Sequence, residues 1–341
     1  MKLFKSAQMA AGLAATALVL AACGGGSATP APSGSGDASA PAAEAPVVIG
    51  IGQYVSHPSL DAVVTGFKKG MTDAGYTEGD KVKYDFANAQ ADQANNTAMI
   101  GKFAADKDMK LVLAVATPTA QAAAQAITNI PVLFSAVTDP LAAKLVKSLE
   151  APGGNVTGTS DKNPVKEQLE LLKKIKPEAK TVGIVYSSGE VNSQVQVEWA
   201  KEAGQELGLT IEEKAISASS EVQQAAAALN VDAFYVPTDN AVVSALEGLL
   251  QVAQDKKIPV ISADGESVKR GATATYGLNY EKLGEQTAAM AVKLLKGEAE
   301  AATMPVETIT KVELYLNTTA AEKIGLTFPA DLLSEAVQTY K

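Results

Sequence analysis

From Val47 onward, short apolar runs alternate with stretches of helical periodicity. The runs cover 47–52, 82–86, 111–116, 132–136, 181–186, 209–215, 233–236 and 260–263. Between them lie helix-length stretches at 60–74, 93–106, 119–128, 165–175, 193–207, 222–229 and 241–254. Each run is bounded by Gly, Pro, Asn or Asp, as strand ends are. Alternation of this kind predicts βαβ units, and so parallel sheets with helices on both faces.

The pattern occurs twice, with four strands before Thr138 and four from Thr181. Pro152-Gly153-Gly154-Asn155 interrupts the chain between the two sets. The expected architecture is therefore α/β, two doubly wound parallel-sheet lobes joined by a multi-strand hinge. Residues 156–160 would cross to the second lobe and 274–278 would cross back, ahead of a helix over 280–296. That division assigns 47–155 plus about 280–341 to lobe 1, and 156–279 to lobe 2. Two such lobes form a cleft that opens and closes about the hinge. A two-domain α/β enzyme would share the architecture, because a fold does not dictate a function.

The amino end adds an address. Lys2 and Lys5 precede an uncharged Ala/Leu/Val-rich run over 9–22, which matches a secretory signal peptide and is short for a membrane-spanning helix. It ends in Leu20-Ala21-Ala22-Cys23, which resembles the bacterial lipobox, with Cys23 as the lipidated residue. Cys23 is the only cysteine, so no intramolecular disulfide can form. Residues 24–46 are almost entirely Gly, Ser, Ala and Pro and predict a disordered tether with a reach of about 25 Å. The protein is thus expected outside the cytoplasm, held to the cell membrane by its lipid.

Ligands of open α/β sheets lie at the carboxyl ends of strands, near helix N-termini. In the first lobe these ends carry Tyr54, then Thr117 and Thr119 around Pro118, then Ser135, Thr138 and Asp139. In the second they carry Tyr186, Glu190 and Asn192, then Asp239, then Asp264. A hydroxyl at an N-cap with proline next to it suits an anion, because free amides and the helix dipole converge there; the same residues also read as plain caps. Hydroxyls gather in the first lobe and carboxylates in the second, a division that fits a zwitterion with its ammonium beside a buried acid. His57, the only histidine, stands beside Pro58 and reads as structural.

Composition removes other classes. The formal charge is −9 and aromatic content only 5%, so nucleic acid is an unsuitable partner and the core must be aliphatic. There is no Gly-x-Ser-x-Gly elbow and no Walker loop. Gly50-Ile51-Gly52 begins a dinucleotide fingerprint, but Val55 stands where its third glycine belongs. No metal site, cofactor or catalytic constellation is expected.

The segments Gln53-Tyr54-Val55-Ser56-His57-Pro58-Ser59-Leu60-Asp61, Ala116-Thr117-Pro118, Ala136-Val137-Thr138-Asp139-Pro140 and Asn155-Val156-Thr157-Gly158 complete the picture. With Gly189-Glu190-Val191-Asn192-Ser193 and Val236-Pro237-Thr238-Asp239-Asn240, they resemble the tryptophan/tyrosine-type ABC transporter substrate-binding lipoproteins, of the type I periplasmic-binding fold. The resemblance runs from about Val47 to Phe328. It implies a monomeric, non-enzymatic protein that captures a small ligand by lobe closure and passes it to ABC permease subunits, the ligand being an amino acid, aromatic favoured. By likeness to branched-chain amino-acid binders of that fold, Thr117 and Thr138 would hold a carboxylate. Asp264 before Gly265 would hold the ammonium, with Asp239 as rival and Asp139 replacing the relatives' asparagine. A ligand-sensing partner of a membrane receptor, or a hydrolase of small metabolites on the same scaffold, are the alternatives.

Overall fold

The computed structural model describes residues 45–309 and 311–341. The expected leader, Cys23 and nearly all of the tether lie outside them. In chain order the first half reads β1 (Val47–Gln53), α1 (Pro58–Asp73), β2 (Val82–Asn88), α2 (Gln93–Ala105), β3 (Met109–Val115), α3 (Thr117–Ala126), β4 (Val132–Val137) and β5 (Val156–Ser160). The next stretch holds α4 (Val165–Ile175), β6 (Thr181–Ser187), α5 (Val191–Leu207), β7 (Thr210–Ile216), α6 (Val222–Ala228) and β8 (Ala233–Val236). It continues with α7 (Asn240–Ser244), α8 (Leu246–Lys256), β9 (Val260–Ser262), α9 (Gly265–Arg270) and β10 (Ala274–Gly277). Last come α10 (Tyr280–Leu295), β11 (Glu307–Thr308), β12 (Glu313–Asn317), α11 (Thr318–Lys323), α12 (Ala330–Glu335) and β13 (Gln338–Tyr340).

Two sheets result. One is six-stranded, ordered β11-β5-β4-β3-β1-β2, and the other seven-stranded, ordered β13-β12-β10-β9-β8-β6-β7. All pairings are parallel except β10 with β12. Each sheet has an apolar core on both faces, which explains why its central strands read as unbroken aliphatic runs. Single polar side chains start several helices: Asp92 accepts from the Asn95 amide at 2.8 Å, and Asn279 accepts from the Lys282 amide at 3.0 Å.

The expected lobe boundaries need two corrections. Residues 156–160 do not cross over; as β5 they are a fully buried strand of the first sheet. Its polar residues are satisfied internally: Thr157 donates to the Met304 carbonyl at 2.8 Å, and Thr159 lies 3.0 Å from Ser135 and 2.7 Å from Thr287. The carboxyl end does not stay in lobe 1, because β12 pairs antiparallel with β10 in the second sheet and β13 follows it there. The chain therefore passes between lobes three times, after β5, after β10 and after β11. The helix expected over 241–254 is also broken, into α7 and α8 at Ala245.

Helices α1 and α10 lie against each other on one face of the first sheet, and two glycines allow their backbones to touch. A Cβ on Gly66 would come within 1.9 Å of the Glu281 carbonyl oxygen, and one on Gly284 within 2.1 Å of that of Val63. Both helices begin at the cleft, so this contact fixes the spacing of their first residues. Gly284→Ala should destabilise the protein by about 1–3 kcal/mol, as overpacking does. Gly101→Ala, in the middle of α2 with nothing within 4 Å, should instead stabilise by about 0.5–1 kcal/mol. Urea unfolding of the two variants measures the contrast.

Candidate functional site

The carboxyl ends of both sheets face one narrow space between the lobes, a cavity of about 20 Å3, far below the roughly 300 to 1,000 Å3 of ligand cavities, so the lobes must part to admit a solute. The first lobe contributes His57, Ser59 and Leu60 at the start of α1, Ala136 and Thr138 at the end of β4, Asp161 just after β5, and Tyr280 opening α10. The second contributes Asn192 from α5, Thr238, Asn240 and Val243 after β8, and Asp264 after β9. No lysine or arginine is in this wall.

The lobes already meet here. Ser59 Oγ donates to Asp264 Oδ1 at 2.9 Å, and the hydroxyls of Thr138 and Thr238 stand 3.1 Å apart. Asp264 is first of all the cap of α9, accepting from the Ser267 amide and hydroxyl, both at 2.8 Å. Asp161 accepts from Tyr280 Oη at 2.8 Å and from Thr138 Oγ1 at 3.1 Å. Burial pushes the Asp161 carboxyl above its ordinary range against the pull of those two bonds, and the charge of Asp264 adds to the rise.

Behind the second-lobe wall sits another acid. Glu190 accepts from Asn192 Nδ2 at 3.0 Å, from the Asn240 side chain, and from the Ala241 amide at 3.3 Å. Burial, reinforced by the neighbouring charge of Asp239, pushes it up to about 8. Asp239 caps α7 through the Val242 amide at 2.8 Å and accepts from the Ser187 amide; burial raises it too. The site is thus rich in buried carboxylate and poor in compensating cation.

Of the residues expected from sequence, Thr138, Asn192 and Asp264 share the cavity wall, and Glu190 and Asp239 support it from behind. Tyr54 lies outside the enclosed space, donating its hydroxyl to the Ala91 carbonyl at 3.2 Å, yet burial and then the charge of Glu190 raise its phenol. Thr117 is buried with its hydroxyl unpartnered but is not in the wall. The structure turns four others elsewhere. Thr119 bonds Asn96 of α2 at 3.0 Å, Ser135 joins the buried Thr159–Thr287 group, Asp139 caps the turn amides of Leu141 and Ala142, and Tyr186 packs into the second lobe's core. In each case the strand-end position is right but the side chain serves the frame.

The expected division into hydroxyl and acid walls is not found, because Asp161 brings a carboxylate from the first-lobe side. Sequence reading passed over Asp161 because it follows a segment that looks like a connector. It passed over Tyr280 as the first residue of a helix, and over His57 as an ordinary structural histidine. One signal is visible only in the backbone. Ala116, directly after β3, and Ala136, next to last in β4, have φ of 77° and 56°. Ala116, with ψ 155°, occupies a region that is nearly glycine's alone and costs about 1–3 kcal/mol for another residue. Such strain gathers at ligand sites. Among the described residues no cluster of three or more His, Cys, Asp or Glu could hold a metal ion.

Comparison with known proteins agrees with this geometry. A tyrosine-binding protein of Clostridioides difficile strain R20291 is 45% identical over 271 residues, 79% of this chain and 78% of that protein. The solved ABC domain from Streptococcus pneumonia in complex with L-Trp is 38% identical, with a TM-score of 0.83, covering 86% of this chain and all of that one. The ligand-free, open structure of a Clostridium difficile substrate-binding protein with adhesive properties is 44% identical. Its TM-score is only 0.66 over 86% of this chain and 99% of that one. The lower-identity structure that holds a ligand fits better, as it should when the lobes already meet. Sugar binders at 16% and 18% identity share the fold alone, that of type I periplasmic-binding proteins. The family of ABC transporter substrate binding proteins matches residues 48–340, and this chain belongs to it.

Proposed function

We propose that this protein captures an aromatic amino acid, tyrosine or tryptophan, in the interlobe cavity and delivers it to ABC permease subunits without altering it. The observation that carries the reading is the pair Asp161 and Asp264, both buried and facing one small space that no lysine or arginine enters. A buried charge is costly unless paired, and a ligand ammonium supplies the missing partner. The ligand carboxylate has a place at the start of α1, where Pro58 has no N–H and the Ser59 and Leu60 amides lack intrahelical partners. Leu60, Ala136, Val243 and the ring of Tyr280 provide the apolar contact that an aromatic side chain needs. The names of the relatives in Clostridioides difficile and Streptococcus pneumonia support the ligand class.

Families of this kind work outside the cytoplasm, and we infer that lipid on Cys23 holds this member to the cell membrane, with residues 24–46 as the tether. In Triton X-114 partition the intact chain should enter the detergent phase and Cys23→Ser the aqueous phase.

Calorimetry on protein refolded to remove any carried solute should find L-Tyr or L-Trp bound with Kd near micromolar or tighter, about −8 kcal/mol. Asp161→Asn should weaken that binding at least tenfold. Failure of every aromatic amino acid to bind rejects the reading.

Affinity should also follow pH in one direction. Asp161 must be ionised to hold an ammonium, and burial sets its pKa above the ordinary 3.8. Binding is therefore full above that raised value and falls as pH drops through it, at a higher pH than an unperturbed carboxylate would show. Titration of Kd against pH checks the sign; affinity that rises on acidification contradicts it.

A further inference from the structure

The ammonium and carboxylate sites leave two other groups in the cavity wall unused. His57, 8% exposed, has an Nδ1 with no hydrogen-bond partner. Asn192, 3% exposed, has an Oδ1 with none. Buried polar atoms are rarely left in that state without a functional reason.

Both orphans are acceptors. Asn192 Nδ2 donates to Glu190 at 3.0 Å and to the Thr238 carbonyl at 2.8 Å, which fixes the amide's orientation and leaves only the oxygen free. Asn240 likewise commits its amide nitrogen to the same Glu190 oxygen, and its side chain stands near His57 in the cavity wall. An imidazole that donates there through Nε2 keeps a lone pair on Nδ1. Burial holds the ring neutral by lowering its pKa, against the opposing pull of Asp264, Asn240 and Asp61; Arg270 adds to the lowering. The two groups belong to opposite lobes, His57 to the start of α1 and Asn192 to the start of α5, and both line the same narrow cavity.

We propose that His57 and Asn192 read the hydrogen carried on the ligand's ring, the phenol O–H of tyrosine or the indole N–H of tryptophan, and thereby exclude phenylalanine. The inference rests on the aromatic reading above. A phenol points its hydrogen along the long axis of the ring and an indole to one side, so acceptors on two walls serve both. Phenylalanine leaves both empty. A site built to bond a ligand hydrogen discriminates strongly against the analogue that lacks it.

The test pairs ligands with variants, by calorimetry. Wild type should bind phenylalanine at least 100-fold more weakly than the better of tyrosine and tryptophan. It should also bind the tryptophan isostere 3-benzothienyl-alanine, which has no N–H, at least tenfold more weakly than tryptophan. These comparisons need no mutant and so do not depend on a variant folding. His57→Leu should narrow the discrimination against phenylalanine at least tenfold, while His57→Asn, which keeps an acceptor, should restore part of it. If tyrosine and tryptophan bind but phenylalanine binds within threefold of them, this inference falls and the aromatic reading stands. Equal losses for all three ligands in His57→Leu would assign the residue a packing role and also overturn it. If no ring-bearing amino acid binds at all, both fall together.

Discussion

Asp161 and Asp264, both buried, line one narrow space whose wall holds no lysine or arginine. Buried carboxylates are costly unless donors or a cation answer them. Hydrogen-bond donors answer both acids: Tyr280 and Thr138 on Asp161, Ser59 and Ser267 on Asp264. Those donors make the site tolerable without neutralising it. Because Ser59 and Asp264 come from different lobes, the acid proposed to meet the ligand ammonium also helps hold the lobes together.

The geometry of that site is set at a distance. Tyr280, Ser59 and His57 sit at the first residues of two helices whose spacing is dictated by Gly66 and Gly284. Two residues before Thr138, Ala136 has a positive φ of 56°, and the β4–β5 register shifts between Phe134 and Val137. Capping serves two purposes at once. Asp239 and Asp264 start helices α7 and α9, and in doing so they are held in fixed rotamers close to the lobe interface. At Asp264 the carboxylate that caps a helix is also the one proposed to meet the ligand.

Much of this was legible from residues alone, for identifiable reasons. Buried parallel strands must be aliphatic on both faces, so β1, β3, β4, β6, β8 and β9 stood out as runs. Strand β5 did not, because Thr157 and Thr159 occupy one of its faces, where Thr159 bonds Ser135 of β4 and Thr287 of α10, and the other carries only Val156, Gly158 and Ser160. With β5 misread as a connector, Asp161 lost its status as a strand-end residue. Strand β12 was equally hidden, since its partner β10 lies almost forty residues earlier and its pairing is antiparallel. At the site, position along a strand predicted proximity but not direction. Thr119 and Ser135 are near the cleft in sequence terms yet face the interior, a distinction that depends on rotamer and twist.

Neither lobe is one continuous stretch of chain. The first sheet waits for β11 at residues 307–308, and the second waits for β13, which ends at Tyr340. During synthesis, then, almost the entire polypeptide must emerge before either sheet can acquire its full complement of neighbours, and cooperative collapse is postponed. A fold that closes only on its last strands suits a family that works beyond the membrane, where export favours a chain that has not yet folded.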